Sequence, residues 1–259
     1  MMRAMVLSLF RRAAPPVAPR SAPEPATLCV AHGAARYDVT VKRSVRARRL
    51  TLRVSSATGD VVLTIPQRTA LATAERFARD HAGWIAARLA RVPGRVAFVD
   101  GAEVPLRGTP HRIVATGGRR GPVRTGLDAA GGPTIVVPGD PALVGKRVSE
   151  FLAREARADL AAAVARHTGA LGIPAKRLTL RDTRSRWGSC SSRGHLSFSW
   201  RLILAPPFVL DYLAAHEVAH LKEMNHSARF WRLTERLCPR TAEAEAWLKR
   251  HGAGLHRYG

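Results

Sequence analysis

Cysteines and long apolar runs are both scarce in this chain. Its 259 residues contain three cysteines, Cys29, Cys190 and Cys238, which are widely spaced and form no CxxC pair. This pattern favours reduced thiols over a disulfide framework or a cysteine-built zinc site. The longest apolar segment near the N-terminus, Ala4 to Phe10, falls well short of a membrane span. We therefore expect a cytoplasmic protein that does not cross a membrane.

Acidic residues are also few. Asp and Glu number 19 against 42 Lys and Arg, which gives a net charge of +23. A positive field of this size favours polyanions such as nucleic acid, nucleotides or acidic lipids. The arginines are nevertheless spread along the chain, as a general bias in composition would also produce. Binding of a polyanion or nucleotide to the basic surface thus stays open.

Residues 1–27 are rich in Ala, Pro and Arg. We interpret this stretch as a disordered tail. An Arg-rich, acid-poor segment is also typical of an organelle transit peptide, although Pro15, Pro16 and Pro19 would break a long amphipathic helix. Both interpretations are kept.

Residues 28–139 are expected to form a β-rich region. Apolar residues from Tyr37 to Pro66 are spaced by two, which predicts an antiparallel sheet with a hairpin turn at Ala57–Asp60. The period then lengthens to that of a helix that should cover the sheet, with one face made by Phe77, Trp84, Ile85 and Leu89. Two strands are expected at 112–115 and 134–137, separated by a mobile loop at 117–132.

Residues 140–259 are expected to form a second domain, so the predicted class is α+β. Helical spacing predicts a helix from about Asp140 to His167 and another from about Pro207. Extended segments are predicted at 178–182 and 195–204, and a last helix at Thr241 to His251.

The strongest motif lies in the helix that begins near Pro207. His216, Glu217 and His220 spell HExxH, and histidines four apart share one helical face, so both imidazoles can reach a single ion. His226 follows after a short break and is the candidate third ligand. The pattern predicts a hydrolase with zinc or another divalent transition metal, in which Glu217 is the general base for a metal-activated water.

Several further runs accompany this motif: Arg186–Ser192, Trp200–Pro207, Asn225–Ser227 and Phe230–Trp231. Together with HExxH, they give the chain a close resemblance to the YgjP-like metallopeptidase-domain family of the zincin clan over 181–231. A looser resemblance extends into the N-terminal half.

The resemblance implies a zincin-like C-terminal domain, a peptide or protein substrate, metal ligands at His216, His220 and His226, and a catalytic carboxylate at Glu217. The third-ligand spacing is similar to that of the metzincins, but Glu223 stands where those proteins have a turn glycine. We expect Asn225 to make the bend in a left-handed conformation.

The segment before and around Cys190 has two interpretations. Arg184, Arg186 and the Gly-Ser-Cys-Ser-Ser turn could stabilise negative charge beside the metal. Alternatively, Trp187 packs in the core and the serines form an ordinary turn. Cys190 has no identifiable base partner, so we expect a small turn residue rather than a nucleophile.

Three functions are consistent with these residues. The leading hypothesis is a zinc-dependent metallopeptidase. The second is a metal-dependent nucleotide pyrophosphatase or phosphohydrolase, in which arginines hold the triphosphate. The third is a nucleic-acid-associated protein with a structural metal site, although the sequence contains no zinc ribbon.

Overall fold

The fold is described from a computed structural model that covers residues 26–55, 58–92 and 94–259. Residues 1–25 of the tail expected at 1–27 therefore lie outside the described residues. Its last two residues, Ala26 and Thr27, are the first two of strand β1. The mixed α+β class is confirmed.

The first sheet contains four strands in the order β1-β2-β4-β3. Their bounds are β1 Ala26–His32, β2 Ala35–Ser44, β3 Thr51–Val54 and β4 Val61–Pro66. The predicted β3–β4 hairpin is confirmed, but the fully antiparallel sheet is wrong because β4 pairs with β2 in parallel. The chain leaves β2, forms the edge strand β3 and then returns between the two, so β4 runs in the direction of β2.

Helices α1 Leu71–Asp80 and α2 Ala82–Leu89 cover this sheet. The sequence predicts one helix here, but His81, at φ −103° and ψ 11°, interrupts it. Ile85 is fully buried as expected. Trp84 is 41% exposed instead of lying on the core face, and the Arg88 guanidinium stands over its ring.

The second sheet repeats the topology of the first, with the order β5-β6-β8-β7 and a parallel pair at its centre. Its strands are β5 Glu103–Leu106, β6 Thr109–Gly117, β7 Arg124–Leu127 and β8 Pro133–Pro138. The prediction of a loop over 117–132 is partly wrong, because the strand β7 lies inside this range. That strand pairs with β8 through backbone groups, which require no apolar side chains.

Helix α3 Val144–Leu171 follows a short 3₁₀ turn, Pro141–Leu143. Asp140 caps the turn by accepting a hydrogen bond from the Ala142 amide. The helix ends at Gly172, whose φ of 71° is the left-handed conformation common at helix ends.

The third sheet has the order β10-β11-β9. Its strands are β9 Arg177–Arg181, β10 Gly188–Cys190 and β11 His195–Ser199. The extended segment predicted for 195–204 is confirmed only for its first half, because Trp200–Leu204 is a 3₁₀ helix. Ser199 starts that helix by accepting from the Arg201 amide.

Helix α4 Pro207–Ala219 is the central helix of the C-terminal half. It packs against α3, the strand β10, α5 Ala228–Leu237 and α6 Thr241–Leu255. Buried residues lie all around it, including Val209, Leu213 and Val218. Such a helix holds its C-terminal end firmly, and that end carries HExxH.

The buried residues form two large clusters. One joins the first sheet to α1 and α2, and the other joins both later sheets to α3, α4 and α6. The gap between them falls between Leu89 and Phe98, so the expected domain boundary at 139/140 lies inside the second cluster. Among the described helices, none combines the length and apolarity that crossing a bilayer requires.

Candidate metal centre

His216 and Glu217 lie in the last turn of α4, and His220 is the residue that ends it. Helical geometry places His216 and His220 one turn apart on the same face. Val218 and Ala219, between them, are fully buried. The packing of this turn therefore fixes the direction in which both imidazoles point.

His226 reaches the site from the turn that connects α4 to α5. Asn225 does not make the expected left-handed bend, because Arg107 is the one described non-glycine residue with a positive φ. Instead, the Asn225 side chain accepts a hydrogen bond from the Ser227 amide at 3.2 Å, and Ser227 in turn caps α5. These bonds satisfy backbone donors at the start of α5 and hold His226 beside α4.

The three histidines converge. Their candidate ligand atoms lie within 4.8 Å of one another, and the Nε2 atoms of His216 and His226 are 3.2 Å apart. Two nitrogens bound to one tetrahedral zinc ion at about 2.0–2.1 Å would be separated by about 3.4 Å. The spacing of His216 and His226 thus fits a shared ion, and His220 is near enough to complete a set of three.

Hydrogen bonds at Nδ1 orient two of these rings. His220 Nδ1 bonds to the Glu223 carbonyl at 3.0 Å. His216 Nδ1 lies 3.3 Å from the Tyr212 hydroxyl, which donates to Glu245 Oε1 at 2.9 Å and can therefore accept from the imidazole. Both arrangements leave Nε2 free as a ligand, as is usual for histidines at metal sites.

Phe230 supports the cluster from α5. It is fully buried, and its ring centroid lies 4.9 Å from His216, 4.4 Å from His220 and 4.8 Å from His226. Contact with all three imidazoles restricts their rotation before any ion binds.

Glu217 is enclosed beside the histidines. It is 4% exposed, and its Oε2 is buried without a hydrogen-bond partner among the described residues. Burial raises the pKa of Glu217 to about 7, while the positive charge of Arg186 acts in the opposite direction. Burial also lowers the pKa of His216 to about 4, and its two neighbouring histidines add to that effect. A neutral imidazole is the form that binds a metal.

Gly188, at the start of β10, makes room for this carboxylate. A Cβ atom at position 188 would lie 2.4 Å from Glu217 Oε1 and 2.7 Å from Glu217 Cγ. Only glycine is small enough for so close an approach. This role of Gly188 is not predicted from the sequence, where a glycine directly after Trp187 is the one available signal.

The other candidates around β10 have different roles. Trp187 stacks on His256 at 4.8 Å and packs against the large core cluster, which supports its interpretation as a packing residue. Burial raises the pKa of Cys190 to about 11, so the thiol stays protonated at neutral pH, as expected of a non-nucleophile. Arg184 lies 3.4 Å from Asp60 of the first sheet region, whereas Arg186 is exposed near Glu217.

A cleft of about 620 Å³ lies along β9, β10 and β11. Its lining includes Gly188 but none of the three histidines. Ser189 and its partner Ser197 face the cleft, whereas Gly188 pairs with the buried Phe198 and approaches Glu217. The cleft and this carboxylate therefore lie on opposite faces of β10.

Comparison with known proteins identifies the family of this chain. Residues 48–251 match the family described as "YgjP-like, metallopeptidase domain". Curated protein sequences yield no match. The crystallised metallopeptidase zymogen of Pyrococcus abyssi abylysin is 21% identical over 35% of this chain and 93% of its own length, with a TM-score of 0.33.

A match over most of the chain defines its class, the metallopeptidases. Within that class, the chain belongs to the YgjP-like family. The family resemblance inferred from the motifs is confirmed. Membership implies a metal cofactor, typically zinc, and the histidine cluster could bind it.

Proposed function

We propose that this chain is a zinc-dependent metallopeptidase with a zincin-like C-terminal domain. In this proposal, His216, His220 and His226 bind the ion and Glu217 is the general base. The observation that supports it most is the convergence of three imidazole nitrogens within 4.8 Å beside a buried carboxylate.

The residues divide the chemistry between them. A bound zinc ion supplies Lewis acidity, which lowers the pKa of water and polarises a carbonyl. Glu217 Oε2 has no other described partner and is the atom that would accept the proton. The same carboxyl group then returns that proton to the nitrogen of the leaving amine. Gly188 and the surrounding core hold the carboxylate in place throughout.

The proposal is tested with the purified full chain. We expect about one zinc per chain by elemental analysis and cleavage of an unbiased peptide library, measured by mass spectrometry. Glu217→Gln should retain zinc and lose at least about a hundredfold in kcat/KM, as expected for removal of a general base. Glu235→Gln, an exposed glutamate on α5, is the matched control and should cleave like the wild type.

Two results would contradict the proposal. Full activity in Glu217→Gln would remove the carboxylate from the mechanism. Release of pyrophosphate or phosphate from nucleotides, with no peptide cleavage, would favour the phosphohydrolase hypothesis instead.

A further inference from the structure

Two clefts on the surface of the molecule meet at Ser185. The first is the cleft of about 620 Å³ along β9, β10 and β11. The second, of about 360 Å³, lies between the first sheet and the two residues Arg184 and Ser185. Because Ser185 lines both clefts, they form one continuous groove, which we call the basic groove.

In the first sheet, the basic groove runs over the face that is turned away from α1 and α2. The strand register aligns Lys42 of β2, Thr64 of β4 and Thr51 of β3, and all three line the groove. Their neighbours Val41 and Leu63 are buried in the core that α1 and α2 cover. Three adjacent strands therefore present polar side chains on the open face.

The third sheet continues this polar floor. Its register aligns Thr179 of β9, Ser197 of β11 and Ser189 of β10, and all three line the groove. Leu196 and Phe198, on either side of Ser197, are buried in the larger core cluster. The basic groove is thus a separate surface from the one that holds the proposed reacting carboxylate, which lies on the opposite face of β10.

Positive charge along this groove is largely uncompensated. Five of its basic side chains are exposed and form no ion pair with another described residue: Lys42, Arg53, Arg177, Arg181 and Arg186. A sixth, Arg184, pairs with Asp60, the one acidic residue in the described lining. Five cationic groups are therefore available to an anionic partner.

We propose that the basic groove binds the sugar-phosphate backbone of a nucleic acid. Guanidinium and ammonium groups pair with phosphate oxygens through charge-assisted hydrogen bonds, and serine and threonine hydroxyls donate to the same oxygens. Most of the remaining lining residues are serine or threonine. This binding is additional to the proposed peptidase activity and does not depend on it.

The extent and the chemistry of the groove favour a nucleic acid over an acidic peptide. The unpaired cations lie in both clefts, and a backbone with a charge at every nucleotide reaches them whatever its base sequence. Peptide recognition commonly uses pockets for apolar side chains. The aliphatic side chains in the described lining are Val62 and Leu196, and Leu196 is 1% exposed. His195 also lines the groove and offers a ring on which an unpaired base can stack.

The salt dependence of binding tests the number of phosphate contacts. A fluorescein-labelled oligonucleotide of mixed sequence, as a single strand and as a duplex, is titrated into the full chain and followed by fluorescence anisotropy. With five contacts, the logarithm of the association constant should fall with the logarithm of the salt concentration. We expect a slope of about −3.5 for the single strand and about −4.5 for the duplex.

Neutralising one arginine in each cleft locates the binding. Arg53→Gln with Arg181→Gln removes two contacts, so the affinity at about 0.1 M salt should fall at least about tenfold. The slope should become shallower by about 1.4 for the single strand and about 1.8 for the duplex. Each single variant should account for about half of this change, because one backbone occupies both clefts. Arg91→Gln with Arg157→Gln lowers the net charge equally at two exposed arginines outside the groove and should bind like the wild type.

Three results would overturn the inference. Affinity that does not change with salt would exclude binding through phosphates. An equal loss of affinity in the two double variants would assign the binding to overall charge and not to the groove. Equal or tighter binding of a polyglutamate peptide with the same number of charges, lost in the groove variant alone, would assign the groove to an acidic protein. Peptide cleavage by the wild type is measured separately, so loss of this inference leaves the proposed peptidase function intact, and the reverse also holds.

Discussion

Replacing Gly188 with alanine tests whether the position of Glu217 matters. The new Cβ would lie 2.4 Å from Glu217 Oε1, whereas ordinary contacts begin at 3.4 Å. The carboxylate must therefore move by about 1 Å, the difference between these distances. Glu217 is 4% exposed, so it has little free space into which to move. Gly188 has no positive φ, and backbone strain does not contribute.

A displacement of about 1 Å at a catalytic group costs about a hundredfold in rate. We expect Gly188→Ala to lose about that factor in kcat/KM for a peptide cleaved by the wild type. Overpacking should lower the free energy of unfolding by about 1–3 kcal/mol. Zinc content should not change, because the new methyl group contacts Glu217 and not the histidines.

The measurements are peptide kinetics, zinc analysis and urea unfolding on the same preparations. The control is Gly126→Ala in strand β7, where the nearest atoms would lie 3.3 Å from the new Cβ and only a few tenths of an ångström must be absorbed. Wild-type kinetics in Gly188→Ala would refute the steric argument. Loss of zinc in that variant would also refute it, since the disturbance would then extend beyond the carboxylate.

Two further predictions concern residues that support the site and the core. Tyr212→Phe removes the hydroxyl that lies between His216 and Glu245 and orients the His216 ring. Zinc affinity, measured by chelator competition, should fall about tenfold. An unchanged affinity would exclude a role for Tyr212 in positioning His216. Arg201 is buried and donates two hydrogen bonds to Asp182. Arg201→Met should therefore lower the free energy of unfolding, measured in urea, by about 2 kcal/mol. This value is low for a buried ion pair because Asp182 is half-exposed. Arg201 also holds the pKa of Asp182 below its usual range, so its contribution is complete above about pH 4 and is lost as the pH falls through the lowered value. The difference between the wild type and the variant should therefore shrink in acid to the part contributed by the bonds from Arg201 to the Leu255 and Tyr258 carbonyls, and a constant difference down to pH 2 would contradict the ion-pair explanation.

Much of the metal centre could be predicted from local sequence. His216 and His220 share a helical face by spacing alone, and the apolar residues between Val209 and Ala214 predict the helix α4 that carries them. Buried alternation in Val61, Leu63 and Ile65 likewise predicts β4. These signals are local, because helix and strand periods are properties of consecutive residues.

The remaining features depend on contacts between distant segments. Gly188 contacts Glu217, and Tyr212 reaches Glu245, across separations that no local period encodes. The parallel pairing of β2 with β4 and of β6 with β8 cannot be read from the sequence for the same reason. Alternation of apolar residues shows which face of a strand is buried, but not which strand lies beside it. The predicted antiparallel sheet was wrong on that point.

The sequence by itself determined the residue types of the site, the helix that carries two histidines and the uncompensated positive charge. Tertiary structure alone decided that His226 turns back toward α4 and that a glycine from β10 admits the carboxylate. The physical reason is that convergence requires chain segments to pack together, and packing is set by the shape and volume of the whole core rather than by the spacing of neighbouring residues.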